Sequence, residues 1–317
     1  MPGGRLMKKT IAIALCLLLV CLTGCSTASK NDKITVVAAI FPEYDWARQI
    51  IGKNSNIELT LLVDDGVDPH SFQPSVGDMV AVANCDLLIY GGGESDGWLA
   101  DALKGSKQEQ TVLELIPLLG EKAHTEQIVE GMQAEAEEEA ETDEHVWLSL
   151  RNAAVFCRAI ADALCRLDPA NKDSYQANLE SYLARLNALD ERYTQTIANA
   201  RRDTIVVCDR FPFRYLTEDY HLSYYAAFPG CSAECNASFE TVIFLAQKVQ
   251  ELGLPAILVT ETTDGRIARS VAENAGQESI DILTLDAMQS VSLKDAASRD
   301  YLATMEQNLQ VLETALN

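Results

Sequence analysis

The sequence predicts an α/β fold of two lobes, each built on a parallel-type sheet, joined by one long helix. Three observations carry this. Short β-branched apolar runs alternate with segments of helical spacing along both halves of the chain, the pattern of parallel strands covered by helices. Between the halves, Asn171 to Arg202 is almost free of helix breakers and repeats apolar residues every three or four positions. After an N-terminal export segment of residues 1–24, about 290 residues remain, enough for two lobes with substantial cores.

In chain order, Ile34 to Ile40 reads as a strand. Pro42 and the amphipathic Tyr44 to Gly52 read as a turn and helix. Ile57 to Val63 is a second strand, closed by the turn-rich Asp64-Asp-Gly-Val-Asp-Pro-His70. A helix around Ser75 to Ala83 leads to the strand Asp86 to Tyr90 and three glycines. Ile128 to Glu144 is acidic and lacks apolar periodicity, so a mobile loop or frayed helix is expected there. Ala153 to Leu167 has helical spacing, and Asp168-Pro169 breaks it. The long helix then carries Tyr175, Leu179, Tyr182, Leu183, Leu186, Leu189 and Tyr193 on one stripe.

The second half repeats the alternation. Strands are expected at Thr204 to Cys208, Ser223 to Phe228, Ala256 to Thr260 and Asp281 to Leu285; helices at Phe213 to Tyr220, Ser238 to Leu252, Arg266 to Ala275 and from Lys294 onward. The division is thus a lobe over 34–170, a connecting helix over 171–202 and a lobe over 203–317.

The N-terminus reads as an export signal: Arg5, Lys8 and Lys9 precede the apolar run Ile11 to Leu22, which is too short to span a bilayer as a stable helix. Leu22-Thr-Gly-Cys25 resembles the bacterial lipobox, in which the cysteine is lipidated and becomes the new N-terminus. This implies a lipid-anchored, extracytoplasmic protein with residues 25–33 as tether. The formal net charge of −22 argues against nucleic acid or an anionic surface as partner and favours cationic ligands. Cys157 and Cys165 fall on a helical pattern as core residues. Cys231 and Cys235 are spaced to close a small-loop disulfide in an oxidising compartment, one of the readings open for that pair.

Four histidines are present: His70, His124, His145 and His221. His70 follows a strand at its carboxyl end, where open parallel sheets bind ligands, and neutral imidazole is the commonest nitrogen ligand for zinc. Asp68 or a carbonyl nearby is placed to fix its tautomer. His221 reads as structural.

Val63-Asp-Asp-Gly-Val-Asp-Pro-His-Ser-Phe-Gln-Pro74 and Asp143-Glu-His-Val-Trp-Leu148 resemble the two histidine segments of the zinc- and manganese-type solute-binding proteins of ABC importers. Ile40-Phe-Pro-Glu-Tyr-Asp45 resembles that family's first strand-to-helix turn, and the helix after Asn171 its rigid connecting helix. The resemblance covers almost all of the chain after the signal. It implies that His70 and His145 ligate the ion, with Asp286 in Leu283-Thr-Leu-Asp286 as a further ligand. The implied partners are a divalent metal, zinc ahead of manganese, and an ABC-type permease; a monomer is expected.

One word departs from the pattern. The family's third ligand aligns with Arg210 in Arg210-Phe-Pro-Phe-Arg-Tyr215, and a guanidinium cannot ligate. Asp209, Cys208, a water or an acid of the loop remain as substitutes, and Arg210 is expected to pair with Asp209 or Glu261. Glu261 points into the same crevice as a supporting acid or substitute ligand, while an N-cap role is the other reading of Asp286.

Competing functions are a zinc hydrolase, a two-lobe binder of an organic or chelated-metal ligand, and an adhesive surface protein. The hydrolase lacks support, since the chain has no His-Glu-x-x-His pair. A binding protein, not an enzyme, is expected.

Overall fold

The run Ile34-Thr-Val-Val-Ala38 forms strand β1, with Val36, Val37 and Ala38 buried, as expected for a strand inside a parallel sheet. The computed structural model describes residues 33–107, 109–134, 141–232, 236–277 and 279–317. The signal segment, Cys25, Cys235 and the centre of the acidic segment, 135–140, lie outside the described residues. The chain divides into two units, Met1–Lys33 and Ile34–Asn317, and the fold described here is that of the second. No helix among the described residues is long and apolar enough to cross a membrane.

Helix α1 (Phe41–Ile51) carries Pro42 in its first turn, and the buried Glu43 carboxylate accepts from the Ala39 and Ile40 N–H groups at 3.0 and 3.2 Å. Strand β2 (Ile57–Leu61) pairs with β1, helix α2 (Val76–Asn84) begins at a Ser75–Asp78 capping box, and β3 (Leu87–Tyr90) follows. Helix α3 (Leu99–Leu103) and strand β4 (Thr111–Glu114) complete the first sheet, in the order β2-β1-β3-β4, all parallel. These last two elements were not anticipated; five and four residues are too few to show a period.

Helix α4 (Leu150–Leu167) is capped by Ser149, whose hydroxyl accepts from Asn152 N–H at 3.0 Å. Asp168-Pro169 interrupts the path, and α5 (Lys172–Ala198) runs 27 residues, about 40 Å at the helical rise. Its Tyr175, Tyr182, Leu186, Leu189 and Tyr193 are buried. The second sheet repeats the first: β5 (Thr204–Phe211), α6 (Arg214–Tyr220), β6 (Ser223–Pro229), α7 (Phe239–Leu252), β7 (Ala256–Val259), α8 (Arg266–Asn274) and β8 (Asp281–Thr284), ordered β6-β5-β7-β8 and parallel. The short α9 (Leu293–Ala296) and the closing α10 (Tyr301–Ala315) return to the centre. His221 ends α6 in the left-handed conformation, which is its structural role.

The apolar packing explains why two sheets act as one body. α2 and α3 cover the outer face of the first sheet and α7 and α8 that of the second, each over a small separate core. The inner faces share one continuous core with α1, α4, α5 and α10. Within it Tyr301 OH donates to Trp147 O at 2.6 Å, and Asp45 accepts from Tyr301 N–H at 2.8 Å. The carboxyl ends of strands in both sheets supply the loops of one cleft.

Candidate metal centre

The loop after β2 shapes the first histidine. Gly66 takes a φ of +78°, which turns the chain, and Leu293 N–H donates to Asp64 O at 2.7 Å, stitching this loop to the start of α9. Pro69 and Asp68 then build one tight turn, with Asp68 Oδ1 accepting from His70 N–H at 3.0 Å. His70 is left half-buried at the cleft, its Nδ1 3.8 Å from Glu144 Oε1.

The second histidine is buried completely. Residues 124–126 and 141–143 pinch together through an antiparallel Thr125–Thr142 bridge, and Tyr215 OH donates to Asp143 O at 3.0 Å. Asp143 Oδ1 lies 2.9 Å from His145 N and 3.0 Å from His145 Nδ1. That pairing holds the ring proton on Nδ1 and leaves the Nε2 lone pair facing the cleft. There Nε2 accepts from the Gln289 amide at 3.0 Å and sits 3.3 Å from His70 Nε2. Gly230 makes the ring's seat possible, since a Cβ there would lie 2.9 Å from both His145 Cε1 and Phe211 O. Glu144 points away from His145 to Ser95, which donates to it through both hydroxyl and N–H.

A third donor arrives from the second sheet. Phe228-Pro-Gly-Cys231 carries the chain out of β6, and Glu126 Oε1 accepts from Cys231 N–H at 2.7 Å. One donor atom each from His70, His145 and Cys231 lies within 4.8 Å of the others. Sequence reasoning did not offer Cys231 as a donor. The available signal was its place just beyond an apolar run, the same logic that picked out His70. The expected Cys231–Cys235 bond falls partly outside the described residues; on the described side, Cys231 carries a free thiol.

The remaining candidates have other partners. Arg210 pairs neither with Asp209 nor with Glu261 but with Asp68, because the end of β5 faces the loop after β2 across the cleft. Asp209 accepts from Thr260 Oγ1 at 2.5 Å and from Arg210 N–H at 2.9 Å, tying β5 to β7. Cys208 is buried in the outer core. Asp286 is paired with Arg299 and accepts from Met288 N–H at 2.8 Å, so its carboxylate closes the turn after β8. Glu261 accepts from Ala287 and Gln289 N–H at 2.8 and 2.9 Å and thereby sets the loop that presents Gln289. Among the described residues, neither Asp286 nor Asp209 belongs to the converging donor set.

The described limb before the centre of the acidic segment is tied to the second sheet. Gln133 N–H donates to Ala227 O at 2.9 Å and its side chain accepts from Ser238 N–H at 2.8 Å, which docks the limb 126–134 on the second sheet.

Electrostatics separate the two imidazoles. Burial and the neighbouring His145 lower the His70 pKa, outweighing Glu144 and Asp68. Burial also opposes charge on His145, but Asp143 with Glu144 and Glu126 prevails and raises it. The separation of the Nε2 atoms has a direct chemical meaning. A tetrahedral ion with Zn–N bonds of 2.0–2.1 Å spans about 3.3–3.4 Å between nitrogens, and the observed spacing is 3.3 Å. Beside the pair opens a cavity of about 660 Å³ whose lining includes Asp68, His70, Arg210 and Cys231.

A family model described as zinc-uptake complex component A, periplasmic, matches residues 36–315. The zinc-binding lipoprotein AdcA of Streptococcus pneumoniae serotype 4 is 26% identical over 311 residues, which cover 97% of this chain and 61% of the relative. The chain therefore spans about 61% of the length of the streptococcal relatives it matches. The high-affinity zinc uptake system protein ZnuA of Bacillus subtilis is 27% identical over 317 residues, 96% of each chain. Among solved structures, the Zn(II)-bound ZnuA-like domain of S. pneumoniae AdcA superimposes with a TM-score of 0.70 at 23% identity, over 90% of this chain and 99% of that one. A Mn-bound periplasmic metal binding protein from Candidatus Liberibacter asiaticus gives 0.73 at 20% identity, over 90% and 100%.

Proposed function

Because the chain belongs to the zinc-uptake complex component A family, we propose that it captures a divalent transition metal outside the cytoplasm, zinc ahead of manganese, and delivers it to an ABC-type permease. The observation that carries this reading is the pair of Nε2 atoms 3.3 Å apart, one on a ring whose other nitrogen is committed to Asp143. Such a pair spans one edge of a small tetrahedral ion.

The rest of the reading follows from the chain's ends and its cleft. Cys25 within the lipobox-like Leu22-Thr-Gly-Cys25 supports a lipid anchor, and the pneumococcal relative is named a lipoprotein. Binding replaces the Gln289 amide at His145 Nε2 by the ion, drawing the loops of both sheets onto one centre. The protein binds and releases its cargo unchanged, so no turnover is involved.

Competitive chelator titration with zinc and with manganese tests the proposal. His70→Ala and His145→Ala are each expected to weaken zinc binding by at least about 100-fold, more than loss of an outer partner does. Unchanged affinity in both variants overturns it.

A further inference from the structure

We propose that Cys231 is the third protein ligand of the captured ion, making the centre a two-nitrogen, one-sulfur set that selects thiophilic cations over manganese. This rests on the reading that the His70–His145 pair takes a divalent metal.

Three observations lead to it. First, the oxygen donors of the second sheet are committed elsewhere: Asp209 to Thr260 and the Arg210 N–H, Asp286 to Arg299 and the Met288 N–H, Glu261 to Ala287 and Gln289. Arg210, where the family resemblance places a ligand, is bound to Asp68. Second, the Cys231 sulfur already lies within 4.8 Å of a nitrogen on each histidine. With Zn–N of 2.0–2.1 Å and Zn–S of 2.3 Å, a tetrahedral N–S edge is about 3.6 Å, so a shift of roughly 1 Å closes the set. Third, the residue's backbone is fixed through Glu126, and its thiol meets two carboxylates, that of Glu126 and, at 3.8 Å, Glu144 Oε1. Sulfur is a weak hydrogen-bond donor, so turning the thiol from these carboxylates to an ion costs little.

Coordination replaces the Sγ–H bond by an Sγ–metal bond, and the proton leaves to bulk water. No oxidant or reductant is involved. Glu126 and Glu144 beside the sulfur favour the arrival of a dication. Thiolate sulfur suits zinc, whereas manganese prefers carboxylate, carbonyl and water oxygen.

The test uses the reduced full-length chain with Co2+ as a spectroscopic probe. The expected result is a sulfur-to-cobalt charge-transfer absorption in the near ultraviolet that disappears in Cys231→Ser while Co2+ still binds, and persists in Cys235→Ser. Cys231→Ser should also lower zinc affinity at least about 30-fold and manganese affinity by less than about 3-fold, narrowing the preference. Bound Co2+ without the sulfur band, a band lost only in Cys235→Ser, or an unchanged zinc-to-manganese preference in Cys231→Ser overturns the proposal and leaves the histidine pair standing. If His145→Ala binds Co2+ as tightly as the unaltered chain, the underlying reading fails instead, and this proposal with it. Circular dichroism of each variant separates loss of the ligand from loss of the fold.

Discussion

The Arg210 guanidinium is ion-paired with the Asp68 carboxylate, so the residue that stands where a ligand is expected instead grips the turn that carries His70. A charge at this position therefore serves the site by holding its neighbour. It joins the end of β5 in one sheet to the loop after β2 in the other.

Arg210→Ala and Asp68→Asn should each weaken zinc binding about 3- to 30-fold, less than either histidine variant, and a double-mutant cycle on stability should return a coupling of about 1–3 kcal/mol. The pair is mostly shielded, with side chains 18% and 15% exposed. Burial opposes ionisation of Asp68, but Arg210 outweighs it and holds the carboxyl below its ordinary value. A depressed carboxyl contributes stability above its unfolded pKa of about 3.9 and loses it as pH falls through the lower folded value. The coupling should thus persist from pH 7 to about 4 and vanish in stronger acid, as measured by denaturant unfolding.

Asp143→Asn keeps the shape but removes the charge that orients His145. Zinc affinity should fall about 10- to 100-fold with little change in melting temperature. Nitrogen-15 NMR of the imidazoles should show the His145 tautomer no longer fixed.

How far the sequence led is clearest in the two histidines and the cysteine. His70 and His145 stand in words with local meaning: a turn built by Asp68 and Pro69, and an Asp143 two residues before its ring. The long helix was legible because Tyr175 to Tyr193 repeat a stripe, and it runs 172–198 where 171–202 was expected. Cys231, by contrast, joins the histidines only through the meeting of two sheets, and no local period encodes that. The same holds for Arg210: its neighbour in sequence, Asp209, was an available partner, while the true one, Asp68, lies on the other side of the cleft. The limb 126–134 lacked a pattern because its partners, the Ala227 carbonyl, Ser238 N–H and Tyr224 hydroxyl, all lie in the second half of the chain.

Asp96 reports on the cost of the cleft's acidity. Burial, with Glu144 and Glu114 nearby, pushes its carboxyl up to about 6, against hydrogen bonds from Gly92 and Gly91. A raised carboxyl leaves its stabilisation intact below about pH 3.9 and loses it as pH rises through about 6. Asp96→Asn, whose amide oxygen can still accept from Gly92, should gain about 1–3 kcal/mol at pH 8 and almost nothing at pH 4. Equal effects at both values contradict the assignment.

Gly230→Ala places a methyl against His145 Cε1 and the Phe211 carbonyl. The ring must shift, and zinc affinity should fall at least about 10-fold while stability drops by about 1–3 kcal/mol. Trp147→Phe tests the opposite wall. It deletes the 2.8 Å bond to Ala287 O, so amide exchange across 287–289 should quicken.

The pinch at Thr125 and Thr142 assigns His145 an unexpected mechanical allegiance. The chain leaves that pinch, lies down on the second sheet as far as Gln133, and comes back through it immediately before Asp143. The limb leading to His145 is thus anchored on the sheet that also supplies Cys231. Glu144, one residue earlier, is gripped from the opposite side by Ser95, so the short segment that presents His145 is a rivet through both sheets.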